Sequence, residues 1–539
     1  MQTGSLIIKK ITAFLLWLNY YFEYSLIFKG FSAIKKAAQG SKILKSFLSK
    51  DFKDYWQGSL IFRFIQFFST LIIKFFHLIF KALAKLNKNS INKKIFDFCF
   101  KPINKNGFVY KAVVGSIPAR FIYYFFGEKT DVFSLKSFYM LFLTITFMVP
   151  SHLWNNMYLL LSAGFFVVLF AIKWFHENDI NVKPKFNHIS PALILFVFFC
   201  ALSIFTGYGG MDSLRVFIIF FACVIHSVLI FLFFKTKHDI EVFIKLLAIG
   251  LTFAALFGIY QFAMGIEIRS DFVDLNVNPG LSRLVATLGN PNTDAQVWAM
   301  LLPLILAVTI TAKQDTNRLI LAGFIGIIVM AFALTFSRSG YVAFIAGVGV
   351  FILMSAPRLI PIALIVLVFA LPFIPSAILD RLFTLGQDTS SQYRFLIWQG
   401  VFRMIEDFWV QGIGMGPAAF VRIYRGYAHP LAERAMHSHN MFLDLVVHSG
   451  IGALITFIVY LFRLFKHGVA SHMNSKNKEY KILMSAALAG LFVFIVLGVG
   501  EYVWFYPRVM LVFWIIAGLT LALVNIPERS PYLDEVVKL

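Results

Sequence analysis

Long apolar segments alternate with short polar ones from Phe133 to the end of the chain. Each holds roughly 15–22 residues, the length that an α-helix needs to cross the hydrocarbon core of a bilayer. Barrel strands are much shorter, and an open sheet edge cannot lie in hydrocarbon. The pattern therefore predicts an all-α, polytopic membrane protein. Its twelve predicted spans are 133–149, 157–175, 190–205, 214–234, 242–263, 296–312, 319–336, 340–355, 359–373, 451–465, 482–499 and 509–524.

The composition excludes a soluble protein. Hydrophobic residues make up 59% of the 539 residues and charged residues only 14%, whereas soluble proteins have about 45–50% and about 25%. Most of the net charge of +22 lies at the N-terminus, because residues 1–130 hold 21 Lys/Arg against five Asp/Glu. Their Lys residues alternate with Phe, Leu and Ile. This pattern predicts a basic, amphipathic cytoplasmic or interfacial extension that binds anionic membrane lipid rather than nucleic acid.

Basic residues lie in every second loop between the spans, in phase with the basic N-terminus. Examples are Lys235, Arg318, Arg358 and Lys466. Basic loops favour the cytoplasmic side, so we expect both termini in the cytoplasm and the intervening loops outside.

This orientation divides the chain into four regions. Residues 1–130 form the extension, 131–373 carry spans one to nine, 374–450 form a large extracytoplasmic loop, and 451–539 carry the last three spans and a cytoplasmic tail. Apolar residues recur at helical spacing from Tyr393 to Phe402, which predicts helices within the loop.

Four polar clusters fall at the predicted outer face. They are 282–284 with 288–292, 336–340, 393–394 followed by 412–417, and 437–440, which runs into an apolar helix at 441–447. The G-x-G-x-G of residues 412–416 has no βαβ context. We therefore interpret it as a turn between amphipathic helices rather than as a nucleotide-binding loop.

Two arginines in these clusters, Arg283 and Arg338, are candidates for binding a lipid diphosphate at the membrane surface. Arginine keeps its charge and makes bidentate hydrogen bonds to phosphate oxygens. The alternative is that both side chains only extend to the interface, as arginines near helix ends often do. Arg338 is the stronger candidate, because arginine at an outer face runs against the positive-inside bias.

His439 is the candidate catalytic base, because a histidine near its ordinary pKa accepts a proton from a hydroxyl at neutral pH. The alternative is a hydrogen bond to a loop carbonyl. His437 lies two residues away, but two histidines without nearby cysteines or clustered carboxylates are a weak metal signal. We therefore predict no metal site.

These motifs resemble the O-antigen ligase and O-antigen polymerase superfamily of bacterial membrane glycosyltransferases. The resemblance rests on His439-Asn440-x-x-Leu443 with Gly450-Ile451-Gly452, on residues 337–340, and on residues 412–414 after Tyr393-Arg394. It covers about residues 190–525, and residues 1–130 lie outside it.

The resemblance implies transfer of a glycan from undecaprenyl diphosphate to an acceptor at the outer face of the cytoplasmic membrane, without metal, nucleotide or other cofactor. The acceptor would be a glycan, a lipid or a protein. His439 would then be catalytic and Arg283 and Arg338 would bind the diphosphate. Arg394, His437, Asn440 and Tyr393 are secondary candidates.

Within the superfamily the sequence favours a ligase over a polymerase or a protein O-oligosaccharyltransferase, because one outer loop dominates. A polysaccharide or lipid transporter is the alternative outside the class. A transporter would be expected to carry ionisable residues at mid-membrane depth, but here the charged candidates cluster at one face.

Overall fold

The computed structural model describes residues 116–127, 130–131, 134–177, 190–266, 282–361 and 389–526, with the single residues 78, 365 and 369. Within these residues the fold is all-helical and has no β-strand, as predicted. Most of the N-terminal extension and of the ninth predicted span, 359–373, lies outside the described residues.

The described helices follow the predicted hydrophobic segments closely. In chain order they are α1 Ile117–Phe126, α2 Leu135–Met148, α3 Met157–Glu177, α4 Pro191–Thr206, α5 Gly210–Phe233, α6 Lys237–Ala263, α7 Pro291–Thr311, α8 Asp315–Leu334, α9 Arg338–Ser355, α10 Thr389–Phe408, α11 Pro417–Tyr424, α12 Met441–Asn474, α13 Lys478–Gly500 and α14 Pro507–Val524.

Among the described helices, nine are long and apolar enough to cross a membrane: α3, α5 to α9, and α12 to α14. Two shorter apolar helices, α2 and α4, coincide with the first and third predicted spans. The chain is therefore a multi-pass membrane protein. The count of twelve spans stays a prediction.

Polar side chains set where several of these helices begin. Asn290, Asn440 and Asn477 precede α7, α12 and α13, and each side-chain oxygen accepts a hydrogen bond from a backbone N–H of the first turn. Thr236 and Asp239 form a reciprocal capping box at the start of α6. These contacts satisfy backbone donors that a helix leaves unpaired at its N-terminus.

Helices α7 and α14 form the centre of the bundle, because 89% of the apolar window of each is buried by protein. Helices α8 and α9 lie at the periphery, where 28% is buried. Small residues allow close packing around the centre: a Cβ added at Gly518 of α14 would lie 2.6 Å from the carbonyl oxygen of Ser227 of α5. Such contacts stabilise helix pairs where lipid provides no hydrophobic driving force.

Helix α1 lies within the predicted extension but packs against the bundle. The Phe125 side chain is buried, and its carbonyl oxygen accepts hydrogen bonds from Lys245 Nζ of α6 at 2.5 Å and from Asn317 Nδ2 of α8 at 3.4 Å. The end of the extension is therefore tied to two membrane helices.

The described part of the large loop is folded around an apolar core of its own, as its helical spacing predicts. Ile397 and Val401 of α10 pack with Phe420 and Tyr424 of α11, and Val447 of α12 joins them. This shared core fixes the loop helices on the start of α12.

Helix α12 is broken at Gly450, which has a φ of +78°. The Ile451 N–H therefore donates to the carbonyl oxygen of Trp409 at 2.7 Å rather than within its own helix. In exchange, the carbonyl oxygens of Val447 and His448 accept from the N–H groups of Ile413 and Gly414. The predicted glycine turn after α10 is thus bonded to the break in α12.

Candidate active site

The predicted polar clusters come together at one end of the bundle. Helices α7, α9, α12 and α14 begin there and α13 ends there. The loop helices α10 and α11 cover the same end through the contacts at Gly450. Four helix N-termini and the C-termini of α8 and α13 therefore lie at this end of the bundle.

The turn that carries His439 is held by a buried carboxylate. Asp444, fully buried in the first turn of α12, accepts hydrogen bonds from the Ser438 backbone N–H at 3.2 Å and from the Ser438 hydroxyl at 2.8 Å. Trp398 Nε1 donates to the Ser438 carbonyl oxygen at 2.8 Å. These contacts hold His439 at a φ of +54°, in the left-handed region that side chains other than glycine seldom adopt. Strained backbone of this kind is characteristic of functional sites.

Glu501, at the end of α13, connects three of the four predicted clusters. Its Oε1 accepts from Arg394 Nη2 at 2.7 Å and from the Ser339 hydroxyl at 3.2 Å. Its Oε2 lies 3.6 Å from His439 Nδ1. The Glu501 side chain is only 8% exposed, whereas those of Arg394 and His439 are 24% and 29% exposed, so a buried carboxylate lies beneath two groups that remain accessible.

The environment keeps Glu501 ionised. Burial raises the pKa of its carboxyl, but the charge of Arg394 and the contact with His439 outweigh burial and hold that pKa at about 2. Glu501 therefore presents a fixed negative charge to His439. Sequence reasoning missed this residue. The available signal was an acidic residue directly after a span, in a short loop between two apolar helices.

His437 lies beside His439 as a neutral imidazole. Burial, together with the neighbouring His439, lowers its pKa to about 3. Its Nδ1 accepts a hydrogen bond from the His439 backbone N–H at 3.1 Å, so its proton is on Nε2. Its ring centroid lies 4.1 Å from that of His439 and 4.6 Å from that of Phe505. This arrangement favours a supporting role for His437.

The two candidate arginines lie on either side of the turn between α8 and α9. Arg283 donates through Nε to the Thr335 carbonyl oxygen at 2.8 Å and through Nη2 to Asn292 Oδ1 at 2.6 Å. Arg338 is the first residue of α9 and is half-buried, next to the Ser339 that reaches Glu501. Both guanidinium groups therefore belong to the same end of the bundle as His439.

A second buried carboxylate, also missed from the sequence, holds the segment that carries Arg283. Asp294 of α7 accepts from the backbone N–H groups of Ala286 at 2.8 Å and Leu288 at 3.2 Å. Arg508 of α14, itself buried, donates to the Thr287 carbonyl oxygen of the same segment at 3.1 Å.

The remaining candidates have structural contacts. Asn440 caps α12, and its Nδ2 donates to the Val499 carbonyl oxygen at 2.9 Å, which ties the His439 turn to the end of α13. Tyr393 packs against the apolar core of the loop. Over the described ranges, no group of three or more His, Cys, Asp or Glu residues is arranged to hold a metal ion.

A known protein family matches the region of the chain that carries several of these site residues. Residues 323–458 match the O-antigen ligase family model. The match spans Arg338, Arg394 and His439 and ends before Glu501. It confirms the resemblance to the O-antigen ligase superfamily and supports, in general terms, an enzyme of the ligase or polymerase type. No curated protein matches the chain.

Proposed function

We propose that this chain is an O-antigen ligase-like glycosyltransferase at the outer face of a bacterial cytoplasmic membrane. It would move a glycan from undecaprenyl diphosphate to an acceptor hydroxyl without a metal. The strongest support is the carboxylate of Glu501, which contacts Ser339, Arg394 and His439 and so links three of the predicted polar clusters.

His439 is the proposed base for the acceptor. Its Nδ1 faces Glu501, so Nε2 is the nitrogen that would take the proton of the acceptor hydroxyl. The carboxylate would stabilise the imidazolium that forms and hold the ring in position. The 3.6 Å separation between Nδ1 and Oε2 is long for a hydrogen bond, and such contacts tighten when substrate binds.

Arg283 and Arg338 are the proposed partners of the donor diphosphate. When the bond between the anomeric carbon and the diphosphate breaks, the electron pair leaves with the diphosphate. Fixed arginines in a partly dry site stabilise that charge. The acceptor oxygen would form the new glycosidic bond from the opposite side of the sugar, which inverts its configuration. Retention in the isolated product would contradict this single displacement.

The experiment that tests the proposal is a size profile of lipid-linked glycans in cells that carry His439→Ala. We expect transfer to be lost and long polymers to accumulate on the undecaprenyl carrier, because the base is missing at the final transfer step. The matched control is His152→Ala, which changes an exposed histidine of the loop before α3 and should leave the profile unchanged.

Three other profiles would contradict the proposal. Accumulation of single repeat units would identify a polymerase. A profile identical to that of the intact protein would show that His439 takes no part in the reaction. Lipid-linked oligosaccharides accumulating together with the loss of glycosylated proteins would indicate a protein O-oligosaccharyltransferase.

A further inference from the structure

Two adjacent aromatic residues, Phe505 and Tyr506, directly precede the central helix α14. They lie at the end of the bundle that carries the proposed active site. Phe505 is half-buried and Tyr506 is 39% exposed, and their ring centroids are 5.0 Å apart at 75°. Neither residue has a role in the acid–base or charge steps proposed above.

Tyr506 lies where the two central helices of the bundle begin. Tyr506 is the N-cap of α14 and contacts the N-cap of α7, because Asn290 Nδ2 donates to Tyr506 Oη at 3.4 Å. Helices α7 and α14 are the two central helices, with 89% of each apolar window buried. Surrounding helices therefore separate their N-termini from the membrane.

The aromatic pair bridges the two halves of the proposed site. On one side, the ring centroid of Phe505 lies 4.6 Å from that of His437, which in turn lies 4.1 Å from that of His439. On the other side, Tyr506 contacts Asn290, whose Oδ1 accepts from the Asn292 N–H. Asn292 in turn holds Arg283. A group bound on this pair would lie between the proposed base and a proposed diphosphate ligand.

We propose that Phe505 and Tyr506 form a sugar subsite on which the pyranose ring attached to the donor diphosphate stacks. This inference rests on the proposed function and adds the residues that recognise the transferred sugar. An aromatic ring offers a large apolar face with a polar edge, which matches the C–H face and the hydroxyl rim of a sugar. The anomeric carbon must lie between the diphosphate and the base, and the pair occupies that position.

The experiment compares two lipids as ligands of the full-length protein in nanodiscs. One is undecaprenyl diphosphate, and the other is the lipid-linked glycan extracted from cells that lack the gene. We expect Tyr506→Ala to weaken affinity for the glycan-bearing lipid by about tenfold. Affinity for undecaprenyl diphosphate should stay within about twofold, since stacking involves only the sugar.

Three variants control for fold and chemistry. Tyr506→Phe keeps the ring and loses the contact with Asn290, so it should retain glycan affinity. Tyr506→Leu keeps apolar bulk without a ring and replaces the alanine variant if that variant does not fold. Tyr158→Ala removes a tyrosine that is 46% exposed in the first turn of α3, and it should change neither affinity.

Equal losses for both lipids would overturn the subsite, because the effect would then come from the diphosphate region. If Tyr506→Ala binds both lipids as tightly as the intact protein does, the sugar subsite is also overturned. This holds even if the variant has a raised KM for the acceptor, because the effect would then lie on the acceptor side. If the intact protein binds neither lipid, the proposed function itself fails.

Discussion

The side chains at the proposed site depend on one another through a single buried carboxylate. Glu501 accepts hydrogen bonds from Arg394 and Ser339 and lies beside His439. Removing one partner of a buried charge pair leaves the other charge uncompensated, which costs more than the pair itself contributes. The geometry of His439 therefore depends on Glu501.

We predict that Glu501→Gln lowers transfer activity by about 10- to 100-fold, as expected when a group that orients a catalytic residue is lost. The variant should also destabilise the protein by about 1–3 kcal/mol, because Arg394 loses its carboxylate. Activity is measured by the lipid-linked glycan profile and stability by thermal unfolding in detergent. Glu406→Gln, an exposed residue of α10, is the control and should change neither.

The stability difference between the intact protein and Glu501→Gln should shrink at low pH. The pKa of Glu501 is held at about 2, below its ordinary value of 4.5. Its contribution is therefore fully present above pH 4.5 and is lost as the pH falls through about 2. The difference in Tm between the two proteins should stay constant from pH 8 to 5 and narrow only below that range. A difference that narrowed between pH 8 and 6 would contradict this account.

At the scale of the elements, the break in α12 fixes the loop helices to the membrane helices. Gly450 adopts a φ of +78°, and a Cβ there would lie 2.1 Å from the Val410 carbonyl oxygen. The Ile451 N–H then bonds to Trp409, and the carbonyl oxygens freed in α12 bond to the chain after α10. The same exchange positions Arg394 and His439 on opposite sides of Glu501.

We predict that Gly450→Ala disrupts this junction. Gly450 has a φ of +78° with a ψ of 171°, a conformation that essentially only glycine adopts and that costs a side-chain residue about 1–3 kcal/mol, and the clash with backbone adds to that. We expect a lower Tm together with loss of transfer. Gly349→Ala in α9 is the matched control, because nothing lies within 4 Å of its added Cβ and helical Ala is favoured over Gly by about 0.5–1 kcal/mol. A Gly450→Ala variant as stable and active as the control would show that the junction does not depend on this conformation.

For the whole molecule, the polar site and the basic extension lie in different parts of the chain. The proposed site residues fall between Arg283 and Glu501, whereas most of the surplus positive charge lies in residues 1–130. We propose that the extension holds the enzyme on anionic lipid at the cytoplasmic side. Its last helix, α1, is fixed to the bundle through Phe125, so the truncation that tests this proposal begins at Ser116 and keeps α1.

We predict that a chain beginning at Ser116 inserts correctly and keeps transfer activity within about twofold, since the site chemistry does not involve the extension. A chain beginning at Asp131 also lacks α1 and should have a lower Tm, because Lys245 and Asn317 lose the Phe125 carbonyl as an acceptor and a hydrogen bond contributes about 0.5–1.5 kcal/mol. The measurements are the lipid-linked glycan profile and thermal unfolding of both truncations. Total loss of activity in a correctly inserted chain from Ser116 would contradict an anchoring role.

The sequence by itself determined the membrane class, the approximate positions of the described spans and the helical spacing at residues 393–402 in the large loop, whereas the bounds of α11 and the full extent of α12 came from the structure. Apolar length and periodicity are properties of consecutive residues and are visible without a fold. It also pointed to the turns that carry Arg338 and His439. Only the tertiary structure decided which turns meet. Glu501 lies 107 residues from Arg394 and 162 from Ser339 along the chain, and contacts over such separations depend on how the helices pack.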